Sequence, residues 1–179
     1  DSQRIVYKAK EGNKWVVVLD AKEGKEYDNV SAPVFSPDSE HLAYIAQHGE
    51  MQTVVLDGKE LGVYDGIPPQ YNLIFSNDSK RFAFIAMKGK KMVANVDGKE
   101  SEIYDRISYP AFSPDSKHIV FPVITKNEQD EAFMVFDGKE GTHYDKTGTF
   151  AFSPDSSRFS YSVTLKEKAF MVSDGEEHP

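Results

Sequence analysis

The sequence predicts an all-β fold, a β-propeller of four-stranded antiparallel blades, and three observations carry this prediction. First, one phrase returns along the chain, as FSPDSEHLAY, FSNDSKRFAF, FSPDSKHIVF and FSPDSSRFSY. Second, helical periodicity is absent, because Gly, Pro, Asn or Asp interrupts the chain too often for a helix of any length. Third, an Asp-Ser pair recurs at intervals of 37, 40, 37 and 40 residues, at Asp1, Asp38, Asp78, Asp115 and Asp155.

Each repeat predicts four short strands. An apolar segment such as APVFS ends in a turn, because Pro presets φ and Asp or Ser can bond the backbone just beyond it. The segment HLAYIA follows after a few residues, so the two form a hairpin. A polar loop then leads to a third strand such as TVVL, and the Asp-Gly turn after it favours a hairpin with a short fourth strand. Four antiparallel strands in ~40 residues are typical of a propeller blade.

The repeats divide a single domain of residues 1–179 into units. Residues 1–28 predict a partial blade that holds the second, third and fourth strands. Residues 31–65, 69–105 and 108–145 predict three full blades, and residues 148–179 predict a second partial blade. In that last unit we expect only the first three strands, over residues 148–173. About four to five blades are therefore present.

The two partial blades have three explanations. The chain is a fragment of a longer propeller of six to eight blades, an arc that completes itself by dimerising, or an irregular ring closed at five blades. We favour the fragment, because uncovered strand edges and apolar blade faces invite association. We expect further blades of the same polypeptide, or a second copy of the chain, to complete the ring.

The phrase FSPDSKHIVF resembles the WD40-like repeat known as PD40, which occurs in TolB-type propellers and in the propeller domains of prolyl-oligopeptidase-like enzymes. The resemblance covers essentially the whole chain and implies a propeller. A TolB-like protein would lie in the bacterial cell envelope, so the resemblance implies a periplasmic or extracellular location.

The family phrase has Gly at one turn position where this chain has Ser in every copy, at Ser2, Ser39, Ser79, Ser116 and Ser156. We expect that this position does not need the conformational freedom of Gly.

Composition and charge exclude several classes of function. The chain has a net charge of −8, whereas binding to nucleic acid calls for a basic face. It has no Cys, and therefore no disulfide framework and no thiolate site. No apolar run approaches the ~20 residues that span a bilayer. We therefore expect no nucleic-acid partner and no membrane span.

Three polar features recur along the repeats, and we interpret all three as structural. The Asp of the phrase SPDS could be a metal ligand, but its place in a hairpin turn favours turn capping. A cation follows three residues later and could bind anions, but we favour an ion pair between blades or a hydrogen bond to the nearby turn Asp. The Tyr-Asp pairs close four of the five units, once in each, whereas catalysis needs one asymmetric constellation. The cations or potential cations are Arg4, His41, Arg81, His118 and Arg158, and the Tyr residues are Tyr27, Tyr64, Tyr104 and Tyr144.

No sequence motif for catalysis is present. The chain has no G-x-S-x-G nucleophile elbow, no H-E-x-x-H zinc motif and no phosphate-binding P-loop. We therefore expect no catalytic residues, no metal site and no cofactor, and we expect that the chain by itself is not an enzyme.

Binding is the function that remains. In a propeller, the loops between blades and the loops between second and third strands gather at one face, and here these loops vary while the rest repeats. Tyr71, Arg106, Tyr109 and Lys146 are the candidate binding residues, because aromatic and Arg side chains dominate binding hot spots, although they could instead pack between blades. We expect a non-catalytic scaffold for a protein or peptide. The alternative is the gating propeller of a larger prolyl-oligopeptidase-like peptidase whose catalytic domain lies outside this chain.

Overall fold

A computed structural model describes residues 4–68, 73–126 and 130–178, and every regular element in these residues is a β-strand. The strands form five antiparallel sheets that follow one another along the chain, each with three to five strands. This architecture confirms the predicted all-β fold of propeller blades. We number the sheets as blades 1 to 5 in chain order.

Each blade is built from short strands that follow one another closely along the chain. Blade 1 has β1 (Val6–Glu11), β2 (Lys14–Leu19) and β3 (Lys22–Glu23). Blade 2 has β4 (Asn29–Val30), β5 (Val34–Phe35), β6 (Leu42–His48), β7 (Met51–Leu56) and β8 (Lys59–Tyr64). Blade 3 has β9 (Ile74–Phe75), β10 (Phe82–Lys88), β11 (Lys91–Val96) and β12 (Lys99–Glu100). Blade 4 has β13 (Arg106–Ile107), β14 (Ala111–Phe112), β15 (Ile119–Thr125), β16 (Glu131–Phe136) and β17 (Lys139–Glu140). Blade 5 has β18 (Lys146–Phe152), β19 (Phe159–Leu165), β20 (Lys168–Ser173) and β21 (Glu176–His178).

The first strand of a blade is interrupted near its middle. In blades 2 and 4 it is split into two short pieces that pair with the same second strand, β4 and β5 with β6, and β13 and β14 with β15. In blade 5 the strand is continuous, but its register shifts between Thr147 and Phe150. At the interruption, some of the described residues of the first strand make no sheet hydrogen bonds, because a bulge leaves residues unpaired. Their backbone and side-chain groups are therefore available for other contacts.

The two end blades differ in strand number. In blade 1 the described residues form three strands, in the order β1, β2, β3. The expectation of three strands in blade 5 is wrong, because β21 pairs with β20 through Met171, Val172 and Ser173. The Asp-Gly turn at residues 174–175 leads into this fourth strand, as Asp-Gly turns do in blades 2 to 4.

The apolar core lies between blades rather than within them. Each of four buried clusters joins residues of two consecutive blades. Between blades 2 and 3, for example, Ala43 and Val54 pack against Phe84 and Val93. Since most of the stability of a repeat array comes from such neighbour contacts, the register of one blade on the next is the main requirement of the fold.

The outward faces of the two end blades are unlike each other. In blades 2 to 4 the second strand presents apolar side chains to the following blade, such as Ile45 and Ile85. The equivalent residue of blade 5 is Ser162, and Ser160 lies on the same face, so the expectation of an apolar uncovered face is wrong for this strand. On the outward side of blade 1, Ile5 and Tyr7 are 67% and 51% exposed.

The Phe of the repeated phrase lies at an equivalent position in blades 2 to 5. Each pairs with the first residue of the second strand, and the four pairs are Phe35 with Leu42, Phe75 with Phe82, Phe112 with Ile119, and Phe152 with Phe159. All four rings are half-buried rather than fully buried. Their outer side is covered from the preceding blade instead. Arg81 lies 5.1 Å from the ring centroid of Phe112, and the ring of His41 stacks on Phe75.

The turn serine of the repeat adopts the left-handed backbone conformation that usually selects Gly. The four described copies have φ between 60° and 66°, so the expectation that this position does not need the freedom of Gly is wrong. The compensation is a bond between blades. The turn Asp of one blade donates its backbone N–H to the turn Ser hydroxyl of the next, over 2.9–3.0 Å in Asp38 to Ser79, Asp78 to Ser116 and Asp115 to Ser156.

Replacing the turn serine tests this compensation. We expect Ser116→Ala to lower the free energy of unfolding by about 1 kcal/mol or more, because the N–H of Asp78 loses its acceptor while the strained backbone stays. Ser116→Gly loses the same bond but relieves ~1–2 kcal/mol of left-handed strain, so it should stay close to wild type. Urea unfolding of the three proteins measures both effects, and an Ala variant as stable as the Gly variant would contradict the assignment.

Candidate functional site

The repeated turn Asp caps its own hairpin. In blade 4 the hydroxyl of Ser113 donates to Asp115 Oδ1 at 2.6 Å, and the backbone N–H of Lys117 donates to the same oxygen at 3.2 Å. The Ser113 hydroxyl bond is the main cause that lowers the pKa of Asp115 to about 2. The carboxylate therefore already has its donors within the turn, as a turn cap requires.

The repeated cation pairs with the Asp of the turn between the third and fourth strands. Three of these pairs use Arg Nε, at 3.0, 2.9 and 3.1 Å, and two use His Nδ1, at 2.7 and 2.6 Å. The pairs are Arg4 with Asp20, His41 with Asp57, Arg81 with Asp97, His118 with Asp137, and Arg158 with Asp174. Arg81 also donates from Nη1 to the carbonyl of Lys117 in the next blade at 2.6 Å. The side chain therefore joins two turns of one blade and, where it is Arg4 or Arg81, the following blade as well.

The Tyr that closes a unit reaches into the following blade. Its hydroxyl donates to a Glu of that blade's fourth strand, in Tyr27 to Glu60 and Tyr104 to Glu140 at 2.9 Å, and in Tyr144 to Glu177 at 3.2 Å. Burial is the main cause that raises the pKa of Tyr144 to about 12. A phenol held protonated in this way is a hydrogen-bond donor at neutral pH and does not act as a base.

The Asp after each closing Tyr shows which loops lie together. Its carboxylate accepts a backbone N–H from the hairpin between the second and third strands of the next blade, over 2.6–2.9 Å in Asp28 from Gly49, Asp65 from Gly89, Asp105 from Lys126 and Asp145 from Lys166. The connections between blades and these hairpins therefore share one end of the sheets. The Arg–Asp and His–Asp pairs lie at the opposite end, where the other two turns of each blade meet.

The interrupted first strand and the second strand of blade 4, with the first strand of blade 5, line a half-open cavity of about 440 Å³. Blade 4 contributes Ser108, Tyr109, Pro122 and Ile124, and blade 5 contributes Thr147, Gly148, Thr149 and Phe150. The cavity lies where the first strand of each blade is interrupted. A volume of this size falls within the range of ligand pockets, which are mostly apolar with a few placed polar groups.

The cavity contains the hydroxyl of Ser108. The corresponding hydroxyl in blade 2, that of Ser31, has a backbone hydrogen-bond partner that Ser108 lacks. In blade 2, Ser31 donates its N–H to the carbonyl of Ile45, and its hydroxyl accepts the N–H of Ile45 at 2.9 Å. In blade 4, Ser108 likewise donates its N–H to the carbonyl of Pro122, but a proline has no N–H to return. Within the described residues the Ser108 hydroxyl makes no hydrogen bond, so it is available to a ligand.

Of the four residues that the sequence selected, one lines the cavity and a second lies opposite a residue that lines it. Tyr109 lines the cavity with 66% of its surface exposed. Arg106 is exposed and lies opposite Ile124, a lining residue, in the register of β13 and β15. Lys146 is separated from them, because its neighbour Thr147 faces the cavity and successive side chains of a strand point to opposite faces. Tyr71 lies outside the described residues.

Sequence reasoning missed Ser108, Pro122 and the Thr147–Phe150 segment. Pro122 was a usable signal, because a proline within a strand removes a ladder hydrogen bond and marks an edge or an interruption. The segment at residues 146–149 was among the variable loops between blades, but its place opposite Tyr109 depends on how one blade packs on the next.

The described residues hold no group of three His, Asp or Glu side chains that could bind a metal ion. A search of the same residues for a helix long and apolar enough to cross a membrane found none.

Comparison with solved structures supports the fold. The chain superposes on the β-propeller domain of the Trilobed protease from Pyrococcus furiosus with a TM-score of 0.53 and 14% identity, over 97% of this chain and 65% of that one. It also matches TolB from Acinetobacter baumannii (TM-score 0.46, 13% identity, 95% of this chain and 49% of that one). Acylaminoacyl peptidase from Pyrococcus horikoshii matches with a TM-score of 0.47 and 14% identity, over 97% of this chain and 36% of that one.

The chain thus spans between about a third and two thirds of these solved chains. No protein-family model and no curated protein matches it. At 14% identity the likeness to the protease domain shows a β-propeller fold and carries nothing about activity.

The capped turns predict a dependence of stability on pH. Asp115 and Asp155 have folded-state pKa values of about 2, lowered first by a Ser hydroxyl bond, against an ordinary value of 3.8. A carboxyl group whose folded-state pKa is depressed stabilises the fold at pH values above its ordinary pKa. This stabilisation is lost as the pH falls from about 4 towards 2. We expect the double variant Asp115→Asn, Asp155→Asn to lose less unfolding free energy than wild type over that interval.

Chemical denaturation at several pH values measures this difference. Glu26→Gln is the control, because Glu26 is exposed and makes no described hydrogen bond. A double variant with the same acid-induced loss as wild type would contradict the role of the two carboxylates.

Proposed function

We propose that this chain is a non-catalytic propeller scaffold that binds a protein or peptide at the cavity between blades 4 and 5. The observation that carries the proposal is the exposed Tyr109 ring at the mouth of a cavity that also holds the Ser108 hydroxyl, which no described residue bonds. Exposed aromatic side chains beside a pocket are typical anchors of protein interfaces. The propeller supplies a rigid frame for them.

The chemistry of the cavity supports binding rather than catalysis. Its described lining residues include hydroxyls, a phenol and apolar groups, but no His, Asp or Glu. His, Asp and Glu are the most frequent general acids and bases in hydrolysis, and such a group must lie within hydrogen-bond reach of the bound substrate. The repeated His, Asp and Tyr side chains are engaged in the contacts within and between blades described above.

The alternative is a propeller that gates a peptidase. The likeness to the propeller domain of the Trilobed protease supports this alternative only at the level of fold. A G-x-S-x-G sequence followed by Asp and His elsewhere in the same polypeptide would decide for it, whereas further propeller repeats there would favour the scaffold.

For location, the proposal is the bacterial cell envelope, in the periplasm or outside the cell. Its support is the resemblance of the repeated phrase to those of TolB-type propellers.

Selection of peptides tests the proposed site. A random peptide library displayed on phage is panned against the 179-residue chain, and the enriched peptides are measured by fluorescence polarisation. We expect Tyr109→Ser to weaken their binding about tenfold or more, because loss of an aromatic anchor typically costs ~2 kcal/mol.

Tyr7→Ser is the matched control, since Tyr7 is a similarly exposed tyrosine in blade 1, away from the cavity. We expect this variant to bind the selected peptides like wild type. Peptides that bind the Tyr109→Ser variant as well as wild type, or that depend equally on Tyr7, would refute the site.

A further inference from the structure

We propose that the cavity recognises an acidic peptide segment, with a carboxylate held by the Arg106 guanidinium and the Ser108 hydroxyl. This inference rests on the proposed function and adds the chemistry of the partner.

Arg106 is the exception among the four arginines of the chain. Arg4, Arg81 and Arg158 each hold a turn Asp with Nε, and two of them also donate to backbone carbonyls of the next blade. Arg106 makes no ion pair and no hydrogen bond within the described residues, and it is exposed. The other three arginines stabilise the turns, whereas Arg106 has no such structural task among these residues.

The strand register places Arg106 on the cavity side of blade 4. Arg106 lies opposite Ile124, and the N–H of Ser108 bonds the carbonyl of Pro122, so the chain keeps its pairing across both residues. Between them, Ile107 is fully buried against the core shared with blade 3. Since side chains alternate along a strand, Arg106 and Ser108 leave it together, towards blade 5.

The neighbouring groups suit a carboxylate. Ser108, Thr147 and Thr149 bring hydroxyl donors to the cavity wall, and none of its described lining residues is acidic and able to compete for the arginine. Hydrogen bonds between Arg and a carboxylate are charge-assisted, roughly twice as strong as those between neutral groups. The net charge of −8 opposes an acidic ligand at long range, but salt at 0.15 M screens charges beyond ~8 Å while local contacts persist.

The shape of the site indicates a peptide rather than a small acid. Tyr109 lines the cavity with 66% of its surface exposed. Its ring therefore extends the binding surface beyond the part of the cavity that one acidic side chain of a ligand would fill. A residue that follows the seated carboxylate along an extended segment can pack on this ring. A small carboxylic acid would leave the ring uncovered.

Defined peptides test the inference by fluorescence polarisation at 0.15 M salt. The probe is dye-labelled Ac-Glu-Glu-Tyr-Glu-Glu-NH2, and the comparison peptides carry Gln or Lys in place of Glu. We expect the acidic peptide to bind at least tenfold more tightly than either comparison peptide. We expect Arg106→Gln to remove this preference, with a loss of about tenfold for the acidic peptide and little change for the Gln peptide.

Lys146→Gln is the matched control. Lys146 holds the equivalent position one blade further along, directly after the closing Tyr-Asp pair, so its side chain leaves blade 5 on the side that faces away from the cavity. We expect this variant to bind the acidic peptide like wild type. An equal loss in both variants would show a general charge effect and would overturn the inference.

The remaining outcomes separate this inference from the proposed function. Binding that depends on Tyr109 but favours the Gln or Lys peptide would leave the binding site in place and overturn the acidic partner. Absence of any binding that depends on Tyr109 would overturn both. Competition by N-acetylglutamate methylamide at the concentration of the peptide itself would indicate a small-molecule site and would overturn the peptide partner.

Discussion

The packing of one blade on the next is the constraint on which the rest of the structure depends, and the bond from a turn amide of one blade to a turn serine hydroxyl of the next repeats at each described junction from blade 2 to blade 5. This bond fixes the register between consecutive blades, at Ser79, Ser116 and Ser156. That register in turn aligns the apolar clusters, each of which is shared by two blades. A serine in the left-handed region is costly, so it is retained where its hydroxyl does something that Gly cannot do. Here the hydroxyl connects consecutive blades at the end of the sheets where no chain segment runs from one blade to the next.

The same logic explains why the most repeated polar residues are poor candidates for chemistry. Each cation, each closing Tyr and each closing Asp has a partner within its blade or in the next, with burial and hydrogen bonds that fit the role. A residue that appears once in each blade satisfies a requirement that appears once in each blade. Function must then be sought where the repeat is broken, as it is at Pro122, where a strand lacks the N–H that its counterparts have.

Much of the fold follows from the sequence, because turn chemistry and alternation act locally. The repeated phrase predicted the hairpins, and the Asp-Gly turns predicted the fourth strands, except that β21 was overlooked because the unit ends without a Tyr-Asp pair. The left-handed turn serine was misjudged, since the compensating bond comes from another blade. The candidate site was predicted in part: Tyr109 and Arg106 stood out by residue type, but Ser108 and Thr147 are brought together only by packing between blades.

Hydrogen exchange of individual backbone amides tests the role of the turn bonds most directly. The amides of Asp38, Asp78 and Asp115 lie in surface turns, where an N–H that bonds only water exchanges quickly. The structure gives each of them a serine acceptor on the next blade, so their exchange should require the blades to separate. We expect protection close to that of the strand amides at the blade interfaces. Exchange as fast as that of the hairpin tip at Lys90 would contradict this role.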